Sequence, residues 1–255
     1  MTAIANENYL SGSRQAAMSD CGVAIPDLWS VSHNQAGLAY IKTAEIGLYH
    51  DNRFMMKELS FSSLAAVIPA KPGTFGFNFN YFGFSKYHES KIGIAYSHKL
   101  GERIAAGIQL DYFSTFIYGA NDNFQKITFE LGLLSNPSKN LMVGFHTFNP
   151  LPGKTLHNSL AVLPSTASLG ISYIFYEKVL LAIETFKEFS ENIIVRTGIE
   201  YEPVRQIAFR FGISTGPSAY SFGMGYKSKK IRAGIAFTAN QVLGVTPHID
   251  FGIVL

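Results

Sequence analysis

The sequence predicts an all-β protein: a closed, fourteen-stranded antiparallel transmembrane barrel that holds its own amino-terminal segment inside the lumen. Three observations lead there. Apolar residues alternate with small or polar ones at every second position along most of the 255-residue chain, the period of a strand and not of a helix. Charged residues make up only 15%, against the roughly 25% usual in soluble domains, while hydrophobic residues reach 47%. The face opposite the apolar one is built mainly of Gly, Ala and Ser, so it meets packed matter and not water.

The elements follow in chain order. Residues 1–42 lack strand alternation and carry Gly12, Gly22, Pro26 and Gly37, with a short helical stretch expected at Arg14 to Ser19. A segment of this length suits a lumen of fourteen strands, which is wider than wall side chains alone can fill. Residues 43–255 then read as strands at 44–50, 57–69, 73–86, 90–99, 103–117, 126–135, 140–149, 166–176, 178–187, 191–202, 205–215, 218–227, 229–238 and 245–255. The split of faces is clearest where Ile104, Ala106, Ile108, Leu110 and Tyr112 oppose Ala105, Gly107, Gln109 and Asp111. It recurs as Ile92, Ile94 and Tyr96 against Gly93, Ala95 and Ser97, and as Ile207, Phe209, Phe211 and Ile213 against Ala208, Arg210, Gly212 and Ser214. A closed barrel with lipid outside and a plug inside satisfies this pattern, and closure leaves no unpaired strand edge in hydrocarbon.

The connections support the same architecture. The even-numbered ones are short: 69–73, 100–103, 136–140, 176–178, 202–205 and 227–230. The odd-numbered ones include the longer stretches 118–125, 149–165 and 240–246. Such alternation fits an outer-membrane barrel with both termini in the periplasm. The 149–165 loop, with Leu151, Leu156, Leu160, Val162 and Leu163, is apolar enough to fold over the lumen or to meet a partner.

Several classes are excluded. No run approaches the roughly 18 apolar residues of a transmembrane helix, and a net charge of +3 gives no nucleic-acid surface. The single cysteine, Cys21, rules out a disulfide framework and a Cys-based zinc site. The seven histidines are scattered, with no His-Glu-x-x-His spacing and no Gly-x-Ser-x-Gly elbow, so no catalytic residue, metal or cofactor is expected. The first ten residues, MTAIANENYL, lack the basic and apolar regions of a secretory signal, and the chain is read as a mature bacterial outer-membrane protein whose signal has been removed.

The strand faces place Asp111, Glu130, Glu184, Arg196, Glu200, Arg210, Arg232 and Asp250 inside the barrel. Buried charges need partners, so these are expected to pair with one another and with Arg14, Asp20 and Asp27 of the amino-terminal segment. Trp29, the only tryptophan, is expected to help fill the lumen. Tyr81, Phe82, Tyr112, Phe113, Tyr173, Phe175, Tyr201 and Tyr226 are the candidates for an aromatic girdle. Lys227, Lys229 and Lys230 form the densest basic cluster, either a solvated turn or, with Leu151, Leu156 and Leu160, a contact surface for a partner.

The stretch Gly12-Ser13-Arg14-Gln15-Ala16-Ala17-Met18, then Gly22-Val23-Ala24, then Asn34-Gln35-Ala36-Gly37-Leu38-Ala39, resembles the hatch signature of the PorV/PorQ branch of the FadL-like barrels. That resemblance marks Gly12, Arg14, Asp20, Trp29, Asn34 and Gly37 as hatch residues. The departures are Met18-Ser19-Asp20-Cys21 where the family usually has Leu-Gly-Gly-Ala, and Gln35 where it has Pro. The PorV side of the resemblance implies a non-catalytic accessory or scaffold subunit of a larger outer-membrane machine, for type 9 protein secretion or barrel assembly, in Bacteroidota-type bacteria. Its partners would be outer-membrane lipids and a larger barrel or lipoproteins. The FadL side implies the alternative, a channel for uptake of hydrophobic small molecules. A soluble all-β protein such as a propeller fails on the shortage of charge.

Overall fold

The computed structural model describes residues 8–119, 124–151, 163–216 and 218–255. Fourteen antiparallel strands close into a barrel in which each strand pairs with its chain neighbours and the last returns to the first. They are β1 (Glu45–Asn52), β2 (Ser60–Pro69), β3 (Thr74–Phe84), β4 (Tyr87–Lys99), β5 (Ile104–Ile117), β6 (Phe124–Ser138), β7 (Leu141–Phe148), β8 (Thr166–Phe175), β9 (Val179–Glu188), β10 (Ile194–Val204), β11 (Ile207–Thr215), β12 (Ser218–Lys227), β13 (Ile231–Asn240) and β14 (Gly244–Val254). The closing seam runs from Glu45 opposite Val254 to Asp51 opposite His248.

Burial alternates along the strands, so one residue in two faces outward and stays exposed although it is apolar. Leu48, Ile94, Leu110 and Ile249 lie 60%, 63%, 60% and 56% exposed, a pattern that only an apolar surrounding makes favourable around a whole barrel. Among the described residues no helix is long and apolar enough to cross a membrane.

Two strands run past their expected ends for one reason. β6 reaches Ser138 through a register shift between Ser135 and Ser138, and β10 reaches Val204 through one between Tyr201 and Val204. Pro137 and Pro203 sit in these irregularities, where a residue without an N–H costs no ladder bond. No register shift interrupts the other twelve seams. The girdle assignment needs correction at Phe82 and Phe113, which are buried and point inward. Successive residues of a strand face opposite ways, so outward Tyr81 and Tyr112 force their neighbours in.

Residues 8–42 are packed inside the barrel. They contain a five-residue helix, α1 (Ser13–Ala17), a single helical turn, α2 (Ser30–His33), and a 3-10 turn over Gln35–Tyr40. The helix stops before the expected Ser19 because Ser19 and Asp20 turn the chain with φ of 54° and 62°. From there the segment follows the wall: Ser13 lies on β13, Ala17 on β12, Met18 on β11 and β10, and Val23 on β8 and β7. It then crosses to β1 at Leu28 and returns along β6, β5 and β3 at Asn34, Ala36 and Leu38. The inward glycines are what let it lie so close. A Cβ at Gly107 would come within 2.5 Å of the Ala36 main-chain nitrogen, whereas one at Gly101, in the turn before β5, would meet nothing within 4 Å.

Gly107→Ala should therefore destabilise the folded barrel by about 1–3 kcal/mol through overpacking against main chain, while Gly101→Ala should leave it unchanged. Urea midpoints in detergent, read from the mobility difference between folded and unfolded barrel on unheated gels, check both. Equal midpoints for the two variants would contradict the close approach.

Candidate functional site

The lumen holds two kinds of contact between wall and segment, and they occupy different sectors. Around β4 to β14 polar contacts, most of them on an inward carboxylate or hydroxyl, stand among small apolar clusters such as Met18, Cys21 and Ile25 on Leu180 and Ala182. Glu130 on β6 is the centre of the first group. It accepts from Lys91 Nζ at 2.6 Å, Gln35 Nε2 at 2.7 Å, His146 Nε2 at 2.8 Å and Gln109 Nε2 at 3.2 Å. Asp111 lies beside it, 3.3 Å from Lys91 Nζ, and accepts from Gln109 at 2.9 Å. All these side chains are buried, and a charge in such a place is tolerable only with partners this close.

Glu184 accepts two main-chain N–H groups of the segment, Gly22 at 2.9 Å and Val23 at 3.0 Å, with Arg196 Nη1 at 3.5 Å on its other oxygen. Glu200 takes Arg14 through Nε at 2.9 Å and Nη2 at 2.5 Å, a two-pronged pair, and Arg210 Nε at 2.6 Å. Asp250 accepts Ser13 N at 2.8 Å, and Arg232 pairs with Glu45 at 2.8 Å. Arg196 and Glu200, four residues apart on β10, thus take partners on β9 and β11 and not each other. The expected wall pairing of Asp20 and Asp27 is not what forms. Asp20 offers its main-chain carbonyl to Arg196 at 3.5 Å. Asp27 stays within the segment, accepting from Gln15 at 2.8 Å, Trp29 N at 2.9 Å and Arg14 at 3.3 Å.

The remaining residues singled out from the sequence are placed as follows. Asn34 accepts from Ala36 N at 3.1 Å and donates to Val23 O at 2.7 Å and Leu133 O at 3.0 Å, tying three stretches together. Gly12, with φ of 113°, lies where any Cβ would strike the Trp29 ring, and Gly37 lies against Ser30. Leu151, Lys227, Lys229 and Lys230 are exposed, while Leu156, Leu160 and Val162 fall outside the described residues. Leu163 is buried against Phe113 and Phe148 at one mouth.

The second sector, β1 to β3, is aromatic. Tyr9 packs on Phe82 at 4.6 Å and on Phe61 at 5.3 Å, Phe61 on Tyr49 at 5.9 Å, and Tyr49 on Trp29 at 5.8 Å. The column starts at the mouth with the odd-numbered connections and descends toward the mouth with the even-numbered ones. There Trp29 and Leu28 form one side of a cavity of about 110 Å³ whose other side is Arg14, Glu200, Arg210 and Arg232.

Sequence reasoning missed Lys91, Glu45, Gln109 and His146. The signal was present: extending the small face of β4 by one step from Gly93 reaches Lys91, and stepping back from Gly47 on β1 reaches Glu45. The buried histidine of the segment, His33, bonds Ser11 O at 3.0 Å, and burial holds its ring below the usual pKa. Burial likewise pushes the Cys21 thiol up, with the nearby Glu184 carboxylate adding to the effect. Among the described residues no group of three His, Cys, Asp or Glu side chains could hold a metal ion.

No protein-family model matches the sequence, and no curated protein matches it. Solved structures do. The Pseudomonas putida toluene transporter TodX shares 12% identity over 98% of this chain and 99% of its own, with a TM-score of 0.71. The fold is that of the FadL-type outer-membrane barrels. Two more FadL-type structures agree: the Ralstonia pickettii toluene transporter TbuX, at 11% identity over 96% and 97% with a TM-score of 0.69, and a Pseudomonas aeruginosa FadL homologue, at 12% over 95% and 97% with a TM-score of 0.64. These neighbours are transporters and channels and not enzymes. At such identities they show the fold alone.

Two outcomes test the geometry. The Cys21 thiol should react with a maleimide roughly tenfold or more slowly in the folded barrel than in urea, since both burial and a raised pKa withhold the thiolate; equal rates would place the segment outside the lumen. Lys91→Met should cost about 3–5 kcal/mol by leaving Glu130 and Asp111 short of a cation, against less than about 0.5 kcal/mol for Lys229→Met in its exposed turn. Urea midpoints of the two variants decide this.

Proposed function

We propose that the chain is a bacterial outer-membrane barrel that passes small apolar molecules inward, with residues 1–42 as a hatch. The observation that carries this is the aromatic column from Tyr9 to Trp29, which joins the loop-bearing mouth to the cavity at the opposite end. An apolar molecule entering such a column exchanges contacts with water for contacts with ring faces, about 25 cal/mol for each Å² removed from water. The neighbours described as toluene transporters support the reading. Arranged like them, the short even-numbered turns face the periplasm and the exposed apolar band meets lipid.

The column is filled by its own side chains, so passage requires the hatch to shift. A second reading, an accessory body in a larger secretion or barrel-assembly complex, has one observation in its favour. The segment is tied to many strands by buried polar contacts, as in a barrel that stays shut and serves through its outer surface.

Uptake of radiolabelled toluene by cells carrying the protein should exceed that of empty-vector cells several-fold. Cys21 Sγ lies 4.0 Å from Ala182 O, so Ala182→Cys places a second thiol within reach of it and allows the hatch to be tethered to β9. Oxidation of that variant fixes the segment to β9 alone and should leave the excess uptake in place, since the seam that opens is the one with β1 to β3; loss of uptake on oxidation would place the moving seam at β9 instead. Uptake equal to the control would overturn the channel reading, and co-purification with a stoichiometric partner would then establish the second.

A further inference from the structure

Five cations and four carboxylates line the cavity below Trp29: Arg14, Arg205, Arg210, Lys227 and Arg232 against Asp27, Glu200, Glu202 and Asp250. Glu200 receives three donors, Asp27 three and Asp250 one from the Ser13 main chain, so the buried carboxylates around the cavity are already engaged. The donors are not. Arg210 uses only its Nε, and among the described residues its two terminal nitrogens bond nothing. They lie over Gly225, where a Cβ would come within 2.6 Å of Nη2, so the absence of a side chain there leaves the guanidinium fork open. Arg232 Nε is buried without a partner, and the Arg205 side chain also lines the space with none recorded among the described residues. Trp29 and Leu28 of the segment give the space an apolar side.

A fork of parallel N–H groups facing an apolar wall recognises a carboxylate carried on a small apolar body. The volume, about 110 Å³, is of the order of cavities of about 150 Å³ that take up a single benzene ring. We propose that this cavity is a binding site for a small aromatic or similarly compact organic acid, with Arg210 holding the carboxylate and Trp29 the ring. The assignment rests on the reading of the barrel as a route for small apolar molecules, and it adds an acid group to the class that the inner end retains. The cavity lies at the mouth beside the turn joining β10 and β11, where an anion meets water and need not cross hydrocarbon.

Trp29 is the only tryptophan, so its fluorescence reports this cavity and the foot of the column above it. Benzoate titrated into the purified protein in a neutral detergent should change that fluorescence saturably. Toluene, the same ring without the charge, and inorganic phosphate, the charge without the ring, should each bind at least tenfold more weakly. Arg210→Gln should weaken benzoate at least tenfold. Ala208→Leu, which fills the space beside Arg210 and removes no charge, should abolish the response; it decides the matter if loss of the Arg210 contact to Glu200 prevents folding, as judged by gel mobility without heating. An absent benzoate response, an equal response to toluene, or an unchanged response in either folded variant overturns the site. Toluene uptake is measured independently, so loss of the site and loss of the channel reading give different results.

Discussion

Everything inside this molecule follows from the width of the barrel. Fourteen strands enclose a lumen that their own side chains cannot fill. The chain fills it with residues 8–41, and that choice creates a second demand. A segment with little regular structure carries main-chain N–H and C=O groups out of reach of water, and each must find a partner. The wall supplies them: Glu184 takes the N–H groups of Gly22 and Val23, Asp250 that of Ser13, and Ser172 donates to the carbonyl of Ala24 at 2.8 Å. Inward charges that look like a pore lining in the sequence are, in place, largely the hydrogen-bond complement of the segment.

The same demand explains the small residues of the inner face. Main chain can approach main chain only where no Cβ intervenes, so the strands that carry the segment present Gly where it passes, as at Gly107 beneath Ala36 and Gly144 beneath Val23. The outer face has no such constraint and is apolar along most of its length, with Leu, Ile, Phe and Tyr the main residues. The composition that marks the chain as a barrel, little charge with many glycines and aromatics, therefore records two different interfaces on one set of strands, lipid without and packed backbone within.

This division also sets what was legible in the sequence. Strand number and facing follow from a two-residue period, which local sequence carries directly, so fourteen strands could be read from alternation. Pair identities could not be read, because they depend on which strands become neighbours of a segment distant in sequence. Glu200 joins Arg14 across 186 positions, and nothing near either residue announces it. Lys91 was legible but unread, one alternation step beyond Gly93. The turn after α1 is instructive in another way. Ser19 and Asp20 stand where the resembled family has two glycines, and both adopt positive φ here. Positive φ costs a residue with a Cβ about 1–2 kcal/mol, offset here in part by packing, since Ser19 and the neighbouring Met18 are buried and Ser19 Oγ meets Ser221 Oγ at 3.2 Å.

The two sectors of the lumen differ in how they resist separation. Between the segment and strands β4 to β14 lie, beside small apolar clusters, hydrogen bonds and ion pairs whose rupture strands buried polar groups. Between the segment and β1 to β3, Leu28, Trp29, Val31 and Leu38 face Tyr49, Phe61, Ala65 and Val67, an apolar contact that loses only burial when it opens. A greasy molecule entering that seam replaces the lost contacts with its own, whereas nothing apolar can replace a partner of Glu130 or Glu200. The least costly displacement is therefore one that parts the segment from β1 to β3 while its polar side stays fixed. That seam already contains the aromatic column, and its lower end opens on the cavity between Trp29 and Arg210.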